Sequence, residues 1–169
     1  MMRMKFGKLT HPTKNILKEI DSIFKKKFDY VEIGIEGIND FIFLRKNKNQ
    51  ILKLLKQFPH PPIGHTAWWY DLSSTYELIR KAWMAQAKND IKVAGELGIK
   101  LLNFHFQVHS PILLKHKESR ERILNNYVYG FRKLCNFAEY SKVSLMLENG
   151  EEKFDYYKYI LDRVDKLQV

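Results

Sequence analysis

The chain has 169 residues, of which 45% are hydrophobic and 14% are aromatic. This composition is typical of a globular protein with a buried core and argues against disorder. The one cysteine excludes an internal disulfide, and no apolar run reaches the roughly 18 residues of a membrane span. We therefore expect a single domain over residues 1–169, located in the reducing cytoplasm and without a membrane partner.

The formal net charge is +10, because 29 lysines and arginines outnumber 19 aspartates and glutamates. An excess of this kind would attract a phosphorylated sugar, a nucleic acid or another anion. The lysines are spread over every predicted helix, however, which is also typical of a solvated, lysine-rich surface. Charge alone leaves both interpretations open.

Strand and helix patterns alternate along the chain. Apolar residues at helical spacing follow each of five short runs that have the apolar or alternating character of strands. These runs predict strands at residues 4–9, 29–36, 63–66, 100–106 and 143–148, with a sixth strand starting at 167–169.

Capping signals mark the ends of two predicted helices. Thr13 is the predicted N-cap of the first helix, and Ser74 with Glu77 forms a predicted capping box after the third strand. Gly98 directly follows Leu97, the last apolar residue of that second helix, and is well placed as its C-terminal cap.

This alternation predicts a parallel sheet with right-handed crossovers. No glycine-rich phosphate loop follows the first strand, so a (β/α)8 barrel is favoured over an open doubly wound sheet. A complete barrel of this type needs about 250 residues. We therefore expect an α/β fold that is an incomplete TIM barrel, with about five βα units, parallel strands and truncation at the start of strand six.

Three apolar runs at or near the ends of predicted strands finish on side chains that can bind a divalent metal, namely His65, His105 and Glu148. The C-terminal ends of the strands in a parallel barrel converge on one mouth. Imidazole and carboxylate groups are the usual ligands of zinc and manganese. We predict that these residues bind one of those metals and that Glu148 is also catalytic. A structural hydrogen bond or ion pair is the alternative for each.

Four further residues are candidates for substrate contacts. Glu32 lies on the polar face of the second strand, where a buried network with a basic residue of the first strand is the alternative. His109 lies in the loop after the fourth strand, and Asn149 directly follows Glu148. Trp68 could stack on a sugar ring or a base, or could pack against the core.

Residues 97–105 read Leu-Gly-Ile-Lys-Leu-Leu-Asn-Phe-His and resemble the fourth-strand region of endonuclease IV and of the wider xylose isomerase-like TIM-barrel superfamily. The resemblance extends to His65 and to residues 147–149. It implies that His65, His105 and Glu148 are zinc ligands and that the glutamate bridges two metals. Residues 106–109 depart from the Pro-Gly-Ser-His of the endonuclease, and the strand with Glu32 is more similar to the isomerase and epimerase branch.

The function expected from these features is that of a metal-dependent isomerase or epimerase acting on a sugar or sugar phosphate. Alternatives are a zinc-dependent apurinic-site endonuclease that acts on DNA, and an inactive half-barrel. Because an incomplete barrel leaves sheet edges uncovered, we also expect self-association or pairing with a complementary fragment.

Overall fold

The computed structural model describes residues 3–164 and contains one sheet of five parallel strands in the order 1-2-3-4-5. Each strand therefore pairs with the next one along the chain, which confirms the predicted α/β arrangement. The strands are β1 (Gly7–Leu9), β2 (Tyr30–Ile35), β3 (Ile63–Thr66), β4 (Leu101–His105) and β5 (Ser144–Glu148).

Helices connect successive strands, and two short helices share the connection between β2 and β3. The helices are α1 (Ile16–Lys25), α2 (Phe41–Lys46), α3 (Lys48–Leu55), α4 (Glu77–Glu96), α5 (Lys117–Ser141) and α6 (Phe154–Leu161). None of the helices in the described part of the chain is long and apolar enough to cross a membrane.

The sheet has two faces of different character, because successive side chains of a strand point to opposite sides. One face carries apolar side chains that are almost fully buried against the helices, such as Ile33, Leu102 and Leu145. The other face, here called the open face, carries partly exposed side chains that include Glu32 and His65. This division matches the alternation expected from the sequence.

Aromatic packing fixes α5 against the strands. Phe131 packs edge-on to Phe104 of β4 with ring centroids 5.5 Å apart, and it stacks on Tyr127 at 5.5 Å. The hydroxyl of Tyr127 donates a hydrogen bond of 2.9 Å to the carbonyl of His105. The longest helix of the fold thus holds the C-terminal end of β4 in place.

Several predicted element boundaries change in the structure. The N-cap of α1 is Asn15 rather than Thr13, because the Asn15 side chain accepts from the amides of Leu17 and Lys18. The predicted capping box of Ser74 and Glu77 is also wrong, because α4 begins at Glu77 and its N-cap is Tyr76, without a side-chain hydrogen bond. Gly98 has a φ of +77°, the left-handed conformation that a helix C-terminal cap requires.

The first strand is shorter than predicted and begins at Gly7. The backbone amide of Phe6 donates a hydrogen bond of 2.9 Å to the carboxylate of Asp29, which lies just before β2. The predicted start of a sixth strand at 167–169 lies outside the described residues. Within residues 3–164, β1 and β5 are the two edges of the sheet and each has a single strand partner.

A buried polar network ties the loop after β3 to α4. Asp90 of α4 is fully buried and accepts hydrogen bonds from the Tyr70 hydroxyl and, at 3.1 Å, from Gln86 Nε2. Burial raises the pKa of Asp90 from 3.8 to about 7, although both hydrogen bonds oppose the change. The folded protein therefore holds this proton more tightly than the unfolded chain does.

We predict that Asp90 makes stability depend on pH. Its contribution is fully present below about pH 4 and is lost as the pH rises to about 7, because over this interval the native state binds more protons. The Asp90→Asn variant should lose this slope in urea unfolding measured across the same interval. The exposed Asp155→Asn variant is the control and should keep it. Equal slopes in wild type and Asp90→Asn would contradict the assignment.

Candidate metal centre

The register between strands brings the predicted strand-end residues together. His65 of β3 lies opposite Asn103 of β4, and His105 of β4 lies opposite Glu148 of β5. His65 and His105 are therefore diagonal neighbours on the open face, with ring centroids 4.8 Å apart. Residues separated by up to 83 positions in the sequence meet in this way only because the strands are parallel and consecutive.

Side chains on the neighbouring elements fix the backbone at this end of the sheet. The Thr66 hydroxyl donates a hydrogen bond of 2.9 Å to the carbonyl of Asn103. This bond ties the end of β3 to β4. The Thr10 hydroxyl, just after β1, accepts from the amide of Gly34 at 3.0 Å. Both threonines are buried, so the strand ends are held by hydrogen bonds shielded from water.

Three potential ligand atoms converge at the ends of β3, β4 and β5. The Nε2 atoms of His65 and His105 are 2.7 Å apart, and Glu148 Oε2 lies 3.9 Å from the first and 4.0 Å from the second. One ligand atom from each residue can be chosen so that all lie within 4.8 Å of one another. The structure thus brings together the three residues that the sequence analysis selected, and their role as metal ligands stays a prediction.

Glu32 orients the first of these imidazoles. Its Oε1 atom lies 3.0 Å from Nδ1 of His65, so the Nδ1–H group donates to the carboxylate. A carboxylate behind a ligating histidine fixes the ring and directs the other nitrogen toward the metal. Glu32 therefore lies behind His65, a position that suits a supporting role.

The pKa values of the two histidines are shifted in opposite directions. Burial lowers the pKa of His65, but the hydrogen bond and charge of Glu32, together with the charges of Glu148 and Glu36, raise it overall. Burial lowers the pKa of His105, and the neighbouring charge of His65 lowers it further. These directions favour His65 as the proton donor in the 2.7 Å contact between the two Nε2 atoms.

Glu148 is the most accessible of the three, with 43% of its side chain exposed on the edge strand. The Asn103 amide donates a hydrogen bond to Glu148 Oε2, which restrains the carboxylate beside the imidazoles. Asn103 was not among the site residues selected from the sequence. The signal that could have identified it is parity, since Asn103 shares the open face of β4 with His105.

Glu36 is a second residue near the site that was not selected from the sequence. It is only 9% exposed, and its Oε1 atom would lie 3.3 Å from a Cβ placed on Gly34, the residue opposite His65. A glycine at position 34 therefore leaves room for the carboxylate. Burial raises the pKa of Glu36, while the charges of His65 and His11 lower it.

The remaining predicted substrate contacts lie outside this cluster of ligand atoms. His109 is exposed, and its Nε2–H group donates a hydrogen bond of 3.1 Å to the carbonyl of Trp69. Trp68 is 52% exposed and meets Trp69 edge-on at 5.7 Å. Asn149 is exposed just beyond β5. Their predicted roles depend on a substrate that spans several loops.

The donor set of two imidazole nitrogens and one carboxylate suits a divalent metal such as zinc or manganese. Two observations fit such an ion. Glu32 fixes the orientation of His65, and the Nε2 atoms of both rings lie within 4.0 Å of Glu148 Oε2. Three protein donors also leave coordination positions to which a substrate oxygen can bind.

Comparisons with known structures identify the fold. The chain is similar to a D-tagatose 3-epimerase-like protein, with a TM-score of 0.83 and 20% identity over 98% of this chain and 64% of that chain. It is also similar to 3-keto-D-glucoside 4-epimerase from E. coli in its apo form, with a TM-score of 0.74 and 19% identity over 98% of this chain and 67% of that one.

A third similar structure is a xylose isomerase-like TIM barrel protein from Mycobacterium smegmatis in complex with magnesium. Its TM-score is 0.68 and its identity 14%, over 96% of this chain and 61% of that chain. The chain thus spans roughly three fifths to two thirds of the length of these barrels. This agrees with the five βα units seen in the fold and confirms the expected incomplete barrel.

No curated protein sequence matches the chain. The family model described as xylose isomerase-like TIM barrel matches residues 20–169, which is most of the chain. This match confirms the resemblance drawn from the strand-end motifs. The chain belongs to the xylose isomerase-like TIM barrel family.

Proposed function

We propose that this protein is a metal-dependent epimerase or isomerase that acts on a sugar. The observation that carries the proposal is the convergence of His65, His105 and Glu148 on the open face, at the C-terminal ends of three consecutive strands. Enzymes with parallel barrels perform their chemistry at this end of the sheet. The names of two similar structures, a tagatose epimerase-like protein and a keto-glucoside epimerase, favour a sugar as the substrate.

In this proposal His65 Nε2, His105 Nε2 and a Glu148 oxygen hold the metal, which is zinc or manganese. When bound, such an ion polarises a carbonyl or hydroxyl oxygen of the substrate. The magnesium complex of the Mycobacterium smegmatis protein supports a divalent ion in a protein of this fold. Glu32 keeps His65 in the orientation and tautomer that binding requires.

Glu148 has the position of a proton carrier as well as a ligand. Its carboxylate is 43% exposed on the open face and can therefore reach a substrate, while Asn103 restrains it. Epimerisation beside a carbonyl requires that a proton leave one face of a carbon and return to the other. A restrained and accessible carboxylate beside the metal ligands suits that task.

The alternative of an apurinic-site endonuclease has less support from the site. Three carboxylates, those of Glu32, Glu36 and Glu148, lie around the two histidines, and the two that are not proposed metal ligands would repel a phosphodiester backbone. A substrate without phosphate avoids this repulsion. We therefore favour the sugar enzyme over the nuclease, although the nuclease would use the same metal ligands.

Metal binding tests the site directly. We expect the wild-type protein to bind Mn²⁺ or Zn²⁺ at one high-affinity site in calorimetric titrations. His105→Ala should weaken binding by about tenfold or more, because one of three protein ligands is lost. His109→Ala is the matched control and should bind as the wild type does. Equal affinity in wild type and His105→Ala would contradict the assignment and favour an inactive half-barrel.

The effect of Glu32 on the pKa of His65 can be measured in the metal-free protein. Glu32→Gln removes the charge that helps to raise the pKa of His65 and leaves only a neutral hydrogen-bond acceptor, so this pKa should fall. The measurement is an NMR titration of the histidine ring protons in the metal-free protein. Glu151→Gln, an exposed change in the loop after β5, should leave the titration of His65 as it is. An unchanged His65 pKa in Glu32→Gln would show that Glu32 does not control this ring.

Catalysis is tested with the manganese-loaded protein and D-tagatose in deuterated water. Formation of an epimer or an isomer should be accompanied by deuterium at the reacting carbon, as detected by NMR. Glu148→Gln should lower the rate by about a hundredfold or more, the usual contribution of a general acid or base. Cleavage of an abasic DNA duplex, without any turnover of sugar, would overturn the proposed function in favour of the nuclease.

A further inference from the structure

A cavity of about 340 Å³ lies beside the candidate metal centre, between the loops that follow β2 and β3 and the first half of α4. It is separate from the three ligand atoms, and the proposed function makes no use of it. Its lining combines acidic and amide groups with aromatic rings and small side chains. The polar and aromatic members are Glu36, Asp40, Gln86, Trp69, Tyr70 and Trp83.

Glu36 is the less exposed of the two acidic side chains that line this cavity. The side chain is only 9% exposed, and within residues 3–164 its carboxylate makes no hydrogen bond or ion pair. Burial raises the pKa of this carboxyl group because the charged form loses part of its solvation, and the charges of His65 and His11 offset that cost only in part. Since the group lines the cavity, hydrogen-bond donors on a bound molecule are what would satisfy it.

The position of Glu36 connects the cavity with the metal centre. Its carboxylate lies over Gly34, which has no side chain to separate it from the neighbouring strand. Gly34 is the register partner of His65, whose Nε2 atom belongs to the candidate ligand set. A molecule held at the metal centre therefore has the cavity directly next to it.

The other walls determine which molecules can fit. Asp40 caps α2 by accepting from the amide of Phe43 at 2.8 Å with one oxygen, and the carboxylate still lines the cavity. Trp83 is held by stacking on Tyr70, with centroids 4.8 Å apart, and Trp69 provides a second indole. Carboxylates can accept hydrogen bonds from hydroxyl groups, and indole rings can pack on C–H groups, so this lining suits a polyhydroxylated molecule.

We propose that this cavity is a subsite for the hydroxyl-bearing part of an uncharged sugar, with Glu36 as its main hydrogen-bond acceptor. The inference rests on the proposed function and narrows it, since the sequence left sugar and sugar phosphate as alternatives. None of the described residues that line the cavity is lysine, arginine or histidine. A phosphate group there would face two carboxylates without a compensating cation, which makes binding of an anion unfavourable.

The test compares two substitutions on the same helix. Ala82 is exposed at the rim of this cavity, whereas Ala85, nearly one turn further along α4, lines a different groove between α4 and α5. Ala82→Phe should block the subsite, and Ala85→Phe should leave it open. D-tagatose and D-tagatose 6-phosphate are titrated against each variant of the full chain, and tryptophan fluorescence and ligand-observed NMR report binding.

We expect the wild type and Ala85→Phe to bind D-tagatose with the same affinity and to bind its 6-phosphate more weakly. Ala82→Phe should lose binding of the free sugar. Glu36→Gln keeps the shape of the side chain but removes its charge, so it should bind at least about tenfold more weakly, as expected when a hydrogen bond to a charged group is lost. Tighter binding of the phosphate, no saturable binding of D-tagatose, or equal affinity in all variants would overturn the subsite.

Failure of the subsite and failure of the proposed function are distinguishable. Mn²⁺ titration of Ala82→Phe should match the wild type, because the substituted residue is not a candidate ligand. If the metal binds and the sugar affinity is the same in every variant, the metal centre stands and the subsite is wrong. If no metal binds but Ala82→Phe alone loses D-tagatose, the cavity is a sugar site without the proposed chemistry.

Discussion

The faces of the five strands and the register between them decide which side chains meet at the end of the sheet. Alternation places Glu32, His65, His105 and Glu148 on the open face, and the parallel register places His105 beside Glu148. A shift of one residue in any strand would turn its polar group into the apolar layer beneath the helices. The buried threonines at the ends of β1 and β3 hold neighbouring strands in this register, and the Tyr127 hydroxyl of α5 holds the end of β4 through the His105 carbonyl.

The site has a charge that differs from that of the whole molecule. The chain is strongly basic, with a net charge of +10, but the groups around His65 and His105 are carboxylates. Together these carboxylates raise the proton affinity of His65, and they would equally stabilise a divalent cation. The basic residues on the helices therefore say little about the substrate, because only the charges near the site act on it strongly.

Much of the fold could be predicted because its signals are local. The runs that predicted β3 and β5 coincide closely with the observed strands, and Gly98 ends α4 with a positive φ. Thr13 failed as a cap because Asn15, two residues later, offers the same side-chain chemistry at the place where the helix begins. The predicted first strand was too long because the backbone amide of Phe6, just before Gly7, donates to the side chain of Asp29 rather than to a backbone carbonyl of β2.

The sequence by itself determined the parallel α/β order, the two-faced strands and the three strand-end residues, because each depends on local periodicity or on a residue type at a strand end. Only the tertiary structure decided that Glu32 contacts His65, that Asn103 restrains Glu148 and that Glu36 is buried over Gly34 beside a cavity. These relations depend on the register between strands and on side-chain rotamers. Both are set by the packing of elements that are distant in the sequence, so no local pattern encodes them.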